Sequence, residues 1–340
     1  MDSVTQITLG AAVGEAVLGR RLGNRAIFWG AVFGTVPDLD AVLTPLFDPV
    51  QFIVYHRNLS HSLLAVGVLS PVLAWGFRRW YGEVVSAWRW FWFFFLVLLT
   101  HILLDCCTNY GTQIFMPFSD RRVAWNNIFV IDPLYTGPFL VCVILCWFLN
   151  RENPWRWRIN AIGLILSTSY LAMTFVVQQH VKTVFAKSLA EQNIEFERLL
   201  VCPTPLNTVL WYGIAEEQDS YRIGFYSLKD AKTEIRFLSV PQRAELLGDL
   251  KTEYGVDRLL WFADGYYCVR PHGDDLVLHI LKLGKLNLME DAELYPFSYI
   301  IHRKNSTVEI ERDHTPERAA VTELIAGLWK RLQGQKDTPL

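Results

Sequence analysis

Charge is what this 340-residue chain has little of. Asp, Glu, Lys and Arg make up 19% of it, against about 25% in a soluble domain. The formal net charge of −2 excludes a global pull toward nucleic acid. Cysteine is sparse and wrongly spaced for a zinc finger: there are six, and none forms a CxxC pair. Cys106 and Cys107 are adjacent, and Cys142 and Cys146 lie in an apolar run. Cys202 and Cys268 fall in the polar half, where an oxidising compartment would let them pair. The chain has no HExxH, no G-x-S-x-G elbow and no P-loop, which argues against a metalloprotease, a serine hydrolase or an NTPase. It has no basic n-region before an apolar stretch, so the N-terminal segment is expected to be retained.

What it has is hydrophobic: 51% of residues, 14% aromatic, with mean hydropathy +0.20. The apolar residues crowd into residues 7–177. A spanning helix needs about 17–25 of them, and Ser62–Phe77, Trp90–Leu104, Leu134–Leu149 and Ile159–Val177 come close. The Gly-rich stretch Ile7–Val36, broken by Arg20, Arg21, Asn24 and Arg25, reads as a hairpin of two more spans. Basic clusters at Arg20/Arg21/Arg25, Arg78/Arg79/Arg89 and Arg151/Arg156/Arg158 fall in every second loop, and placing them in the cytoplasm satisfies the positive-inside bias. The N-terminus, loops 37–61 and 105–133 and everything after Val177 then lie outside. Arg121 and Arg122 stand against that pattern. The expected fold is a polytopic α-helical membrane domain of about six passes (1–177), followed by a smaller α+β extracytoplasmic domain (178–340). In the second domain, runs such as "TVLWYGIA", "YRIGFYSL" and "SYIIHRK" predict strands. Helices are expected over Gln242–Glu253 and, after Thr315–Pro316, over Glu317–Leu332.

This topology collects scattered polar residues at one membrane face. They are Asp38 and Asp40 in "VPDLD", His56, Arg57, Ser60 and His61 in "HRNLSH", His101 and Asp105 in "HILLD", and Asp132 in "VIDPLY". Ionisable groups near a membrane core are costly and point to function. His101 and Asp105, four apart, share a helix face with Thr108 and make a platform for a divalent metal, or a simple helix-end hydrogen bond. Asp38 and Asp40, on extended or turn backbone, could both point to one site; a polar turn capping the next segment is the plainer alternative. His56 and His61 would diverge by about 140° on a continuous helix. Ser60 is the expected N-cap of a helix starting at His61. Arg57 suits an anion clamp or a snorkelling interfacial residue.

"PDLD", "HRNLSHS" and "HILLDCCTNYG" together resemble the signatures of the YdjM-like family of bacterial inner-membrane proteins, described as metal-dependent hydrolases. That family is distantly similar to the zinc-dependent phospholipase C and its related single-strand nucleases. The resemblance covers residues 1–140 and implies a ligand set of Asp40 or Asp38, His61 or His56, His101 and Asp105. It implies zinc or manganese as the metal. Where the family carries a histidine near its N-terminus, this chain has Gln6, a poor zinc ligand. The expected activity is metal-dependent hydrolysis of a phosphoester or lipid head group at the outer face of the bacterial cytoplasmic membrane, with the second domain periplasmic. The aspartate of the Asp38/Asp40 pair left off the metal is the expected general base, Arg57 the anion clamp, and Asp132 a further catalytic candidate. A non-catalytic anchor presenting the second domain, and an ion-coupled transporter, are the rival readings.

Overall fold

The computed structural model describes residues 1–284, 295–304, 307–314 and 327–334. They divide into two units, the first built mainly from residues 1–46 and 55–175 and the second mainly from 176–204 and 208 onward.

The first unit is helical. Helices α1 (Ser3–Leu22) and α2 (Asn24–Phe33) are joined at Gly23, whose φ of +58° suits glycine. They pack backbone on backbone. A Cβ on Gly10 would lie 2.2 Å from the Gly30 carbonyl oxygen, and one on Gly14 would lie 2.3 Å from that of Ala26, so glycine is required there. After the short α3 (Pro49–Tyr55), whose residues 49–54 are counted with the second unit, come α4 (Leu63–Tyr81), α5 (Ala87–Cys106) and α6 (Pro133–Phe148). The long α7 (Pro154–Glu191) runs from the first unit into the second. Ser62, Ser86 and Asp132 cap α4, α5 and α6 by accepting bonds from first-turn amides. Trp90, Phe93 and Phe94 on α5 are fully buried, and Phe94 packs edge-on against Phe33 and Phe77.

By length and composition, α5 and α7 are apolar enough to cross a membrane. Pro49–His61 and Leu63–Val84 form a third candidate if that pair, bent by 51°, is one span. This falls short of the expected six. Helix α2, with 10 residues, rises only about 15 Å, against a hydrocarbon core about 30 Å thick. Helix α1 is longer but carries Glu15, Arg20 and Arg21, and α6 has only 16 residues.

The helical unit has two chemically opposite ends. Arg20, Arg21, Arg25, Arg78, Arg79, Arg89, Arg151, Arg156 and Arg158 sit at the helix ends joined by the α1–α2, α4–α5 and α6–α7 connections. Trp75, Trp80, Trp88, Trp147, Trp155 and Trp157 are exposed near the same termini, as in an interfacial aromatic belt. There Arg156 grips Glu15 with two 2.7 Å bonds and also donates to Asn24 and to the Leu149 carbonyl. The other ends of α2, α4 and α5 carry Gly34, His61 and His101.

In the second unit, strands β1 (Arg198–Pro203), β2 (Leu210–Glu216), β3 (Ser220–Ser227) and β4 (Phe237–Pro241) form an antiparallel sheet in that order. Val181, Val184 and Phe185 of α7 cover one face against Val201, Trp211 and Tyr226. Phe185 lies where a Cβ on Gly213 would come within 2.2 Å. Helix α8 (Tyr254–Ala263) precedes a second antiparallel sheet of β5 (Tyr267–His272), β6 (Asp275–Ile280), β7 (Ser298–Lys304) and β8 (Thr307–Asp313). The helix expected over Gln242–Glu253 is instead a pair of 3-10 turns over Ala244–Thr252, kinked at Gly248 with φ +47°, and the α-helix begins only at Tyr254. Of the helix expected over Glu317–Leu332, residues 317–326 lie outside the described residues; 327–332 are helical. Cys202 and Cys268 are both buried in the same apolar cluster.

Candidate metal centre

Three segments converge at the end of the helical unit away from the arginines. After α2, Pro37–Leu46 winds into 3-10 turns that carry Asp38 and Asp40. Arg57, at φ +59°, breaks the helical path after α3, and a single 3-10 turn, Leu59–His61, delivers His61 just before α4. The last turns of α5 supply His101 and Asp105. One ligand-type atom from each of Asp38, His61, His101 and Asp105 lies within 4.8 Å of all the others. His61 Nε2 is 3.2 Å from Asp38 Oδ1, 3.3 Å from Asp105 Oδ2 and 3.3 Å from His101 Nε2. His61, His101 and Asp105 are buried, while the Asp38 side chain is 21% exposed and gives the cluster its opening.

Hydrogen bonds on the far side of each ring set the tautomers. His101 Nδ1 is 2.7 Å from the Gly34 carbonyl oxygen, which only accepts, so Nδ1 carries the proton. Ser60 donates to Asp40 Oδ2 at 2.7 Å, leaving its oxygen to accept from His61 Nδ1 at 2.9 Å. Both imidazoles therefore aim Nε2 lone pairs into the space shared with the two carboxylates. Such an arrangement calls for a cation among the four donors, either a metal ion or a proton carried by an imidazole toward the carboxylates. Asp105 Oδ2 and Gln6 Oε1 are buried without a hydrogen-bond partner among the described residues, so the cluster could hold a metal ion. Two imidazoles and two carboxylates, each histidine fixed from behind, fit zinc or manganese.

The two aspartates, either of which could serve as ligand with the other as base, are set apart by the structure. Asp38 is the carboxylate in the cluster. Asp40 bonds His56 Nδ1 at 2.8 Å, the Arg57 amide at 3.1 Å and Ser60. The reason is the backbone: residues two apart on a 3-10 turn diverge by about 120°, whereas extended chain would have aligned them. Burial pushes both carboxyls up, but His101 and His61 outweigh it at Asp38, and His56 and His61 outweigh it at Asp40. Both groups stay below the usual carboxylate range.

His56, also expected as a ligand, is outside the four-residue cluster. Its ring centroid is 6.1 Å from that of His61, and its Nδ1 faces Asp40. Ser60 does not cap α4; Ser62 does, accepting from Ala65 at 3.0 Å. Arg57 Nη2 lies 3.2 Å from Asp105 Oδ1, and Nη1 donates to Thr108 at 3.1 Å. Asp132 is not brought to the cluster: Oδ1 accepts from the Leu134 and Tyr135 amides and Oδ2 from the Tyr170 hydroxyl. Sequence reasoning missed two neighbours. Gln6 donates to Asp105 Oδ1 at 3.0 Å, beside the Met1 ammonium that also pairs with that oxygen. Tyr110 lies under the Arg57 guanidinium, 5.1 Å from ring centroid to Cζ. Gln6 was marked only as a departure from a histidine, and Tyr110, though inside the quoted "HILLDCCTNYG", was given no role.

The fold and site together define a class: a helical membrane protein with an Asp–His–His–Asp cluster at one end of its bundle. The sequence profile of the YdjM inner membrane protein family matches residues 1–181, more than half of the chain, and the chain belongs to that family. It is 26% identical over 215 residues to the uncharacterized protein YfhP of Bacillus subtilis, a match covering 60% of this chain and 62% of that relative. It is 30% identical over 160 residues to the inner membrane protein YbcI of Escherichia coli, covering 44% of this chain and 85% of YbcI. No solved structure matches.

Proposed function

We propose that this chain is a membrane metallohydrolase that cleaves a phosphoester or lipid head group at the non-cytoplasmic face of the inner membrane. The observation that carries the reading is the group of four donor atoms within 4.8 Å, with both imidazole Nε2 atoms turned inward. Asp38, His61, His101 and Asp105 would hold a divalent ion, which supplies Lewis acidity toward a phosphoryl oxygen and acidifies water. Asp40 and Ser60 keep His61 in its binding tautomer. With Asp38 among the ligands, the Asp40–His56 pair takes over the proton-transfer role: Asp40 orients the His56 ring from Nδ1, and the imidazole accepts and returns the proton. Arg57 binds developing negative charge.

Sidedness supports the same reading. The nine arginines and the exposed tryptophans mark one end as cytoplasmic, which leaves the cluster on the other face. Helix α7, with 38 residues, is about 57 Å long and more than spans the bilayer. It starts among the arginines, so the residues that follow it emerge on the periplasmic side in a multi-pass arrangement. The test is metal analysis of the purified chain together with hydrolysis of generic phosphoesters by wild type and His101→Ala. A chain that binds no metal, or a variant that hydrolyses as fast as wild type, ends the proposal. Stoichiometric metal without hydrolysis leaves the rival reading of a structural metal in a membrane anchor.

A further inference from the structure

Nine arginines sit at one end of the helical unit, but Arg122 does not. It follows α5, in the segment on the cluster's side, against the charge rule that orders the others, and its placement is built. Thr112 and Val123 form an isolated antiparallel bridge, exchanging N–H to carbonyl bonds of 3.0 and 2.9 Å. Gly111 has φ +87°, and a Cβ there would lie 3.2 Å from Arg122 Nε, so glycine leaves room for the guanidinium. Arg122 Nη2 donates to the Tyr110 and Gly111 carbonyls at 3.3 and 2.8 Å. Its Cζ is 4.9 Å from the Tyr110 ring centroid, and the Arg57 Cζ is 5.1 Å from the same centroid. Two like charges are therefore held at one aromatic ring. Arg57 in turn touches Asp105 at 3.2 Å, and its Nε is buried without a hydrogen-bond partner among the described residues.

We propose that Arg57 and Arg122 form a two-guanidinium subsite for a dianionic phosphoryl group, which makes the substrate a phosphomonoester. The proposal rests on the metallohydrolase reading for its chemistry but not for its binding. Charge balance favours the dianion. Asp38, Asp40 and Asp105 face two guanidiniums, and a divalent ion leaves the site positive before the Met1 ammonium is counted. A phosphodiester brings one negative charge, whereas a monoester brings about two near neutral pH. Planar guanidiniums also match phosphoryl oxygens in pairs. The shared chemistry is a terminal phosphoryl group, carried by a lipid or by a soluble molecule.

The experiment is calorimetric titration of inorganic phosphate into the full-length chain, metal-loaded and metal-stripped, for wild type, Arg122→Gln, Arg122→Lys and Arg57→Gln. Metal content and melting temperature are measured alongside. The expected result is that Arg122→Gln weakens phosphate binding about 10–100-fold, the scale of charged hydrogen bonds, with metal content and melting temperature unchanged. Arg122→Lys should recover part of the loss. If Arg122→Gln fails to fold, Arg122→Lys decides, expected to weaken phosphate at an unchanged melting temperature, with Arg57→Gln expected to weaken phosphate in whatever fraction folds. Nanodiscs with phosphatidic acid that displace phosphate, where phosphatidylcholine does not, identify a lipid source; displacement by neither identifies a soluble one. Phosphate bound equally by wild type and the folded variants overturns the subsite, as does dimethyl phosphate binding as tightly as phosphate. A wild type that binds metal but no phosphate sinks the subsite alone. Arg122-dependent phosphate binding by a chain that holds no metal sinks the metal reading alone.

Discussion

Both ends of the helical unit bury ionisable groups, and they do so in opposite ways. At the arginine end, Glu15 and Arg156 meet in two 2.7 Å bonds, and the remaining Arg156 donor is taken by Asn24 and the Leu149 carbonyl. At the other end, two imidazole lone pairs converge on two carboxylates, and Asp105 Oδ2 and Gln6 Oε1 lack hydrogen-bond partners among the described residues. A satisfied buried pair fixes how helices meet; an unsatisfied cluster is shaped for something that is not protein. The two ends should therefore fail differently when broken.

The sharpest break is His101→Ala. Removing one imidazole takes away several kcal/mol of transition-state stabilisation, a loss of activity on the order of 1,000-fold. Metal content should fall below stoichiometric. The melting temperature in detergent should fall less than in Glu15→Ala, because Asp105 keeps Arg57 and Gln6 as partners. Glu15→Ala is its mirror image: Arg156 is left buried and unpaired, at a cost of about 3–5 kcal/mol. Thermal melting reads that loss, and the protein that remains folded should bind metal as wild type does. Equal metal loss in both variants would erase the distinction between the ends.

Asp40→Asn probes the layer behind the ligands. It touches no ligand atom of the cluster except through Ser60 and His61, so metal affinity should fall about 10–100-fold while stoichiometry at saturating metal is kept. The same variant tests a pH effect in the metal-stripped chain. Asp38 and Asp40 have pKa values depressed by folding, so their stabilisation is full above the unfolded value near ~4 and lost as pH falls through the lower folded values. Melting temperature should stay level from neutral pH toward ~5 and drop in stronger acid, with a shallower drop in Asp40→Asn. An identical drop in the variant would remove Asp40 from that account.

How much of this was legible follows from local geometry. The i, i+4 spacing of His101 and Asp105 needed only an α-helix to place both on one face, and α5 is one. The spacing of Asp38 and Asp40 was ambiguous because extended chain and 3-10 turn send residues two apart in different directions, and nothing in "VPDLD" chooses between them. The positive φ of Arg57, which separates His56 from His61, falls on a residue type that does not advertise it. Short helices misled the count of passes: α2 reads as apolar but stops after 10 residues, where Gly34 follows it. In the second unit, β-rich runs bounded by turn residues marked β2, β3 and β7, whereas β1, "RLLVCP", was not among them.

The smallest expected effect is also the finest test of the comparison, because it concerns two serines two positions apart. Ser62 caps α4, accepting from the Ala65 amide at 3.0 Å and donating to the Leu59 carbonyl at 2.9 Å. Ser60 stands between His61 Nδ1 and Asp40 and contacts no helix amide in that role. Ser62→Ala should lower stability by about 1 kcal/mol, the usual worth of an N-cap, and leave metal affinity alone. Ser60→Ala should leave melting unchanged and weaken metal binding about 10-fold, the low end for a group behind a ligand. The loss stays at that end because Asp40 Oδ2, 3.4 Å from His61 Nδ1, is near enough to take over the proton. Metal titration and thermal melting on the two variants read the pair directly. If both serines move the same observable, the tautomer of His61 is not set by Ser60, and the inward lone pair on which the metal centre depends loses its explanation.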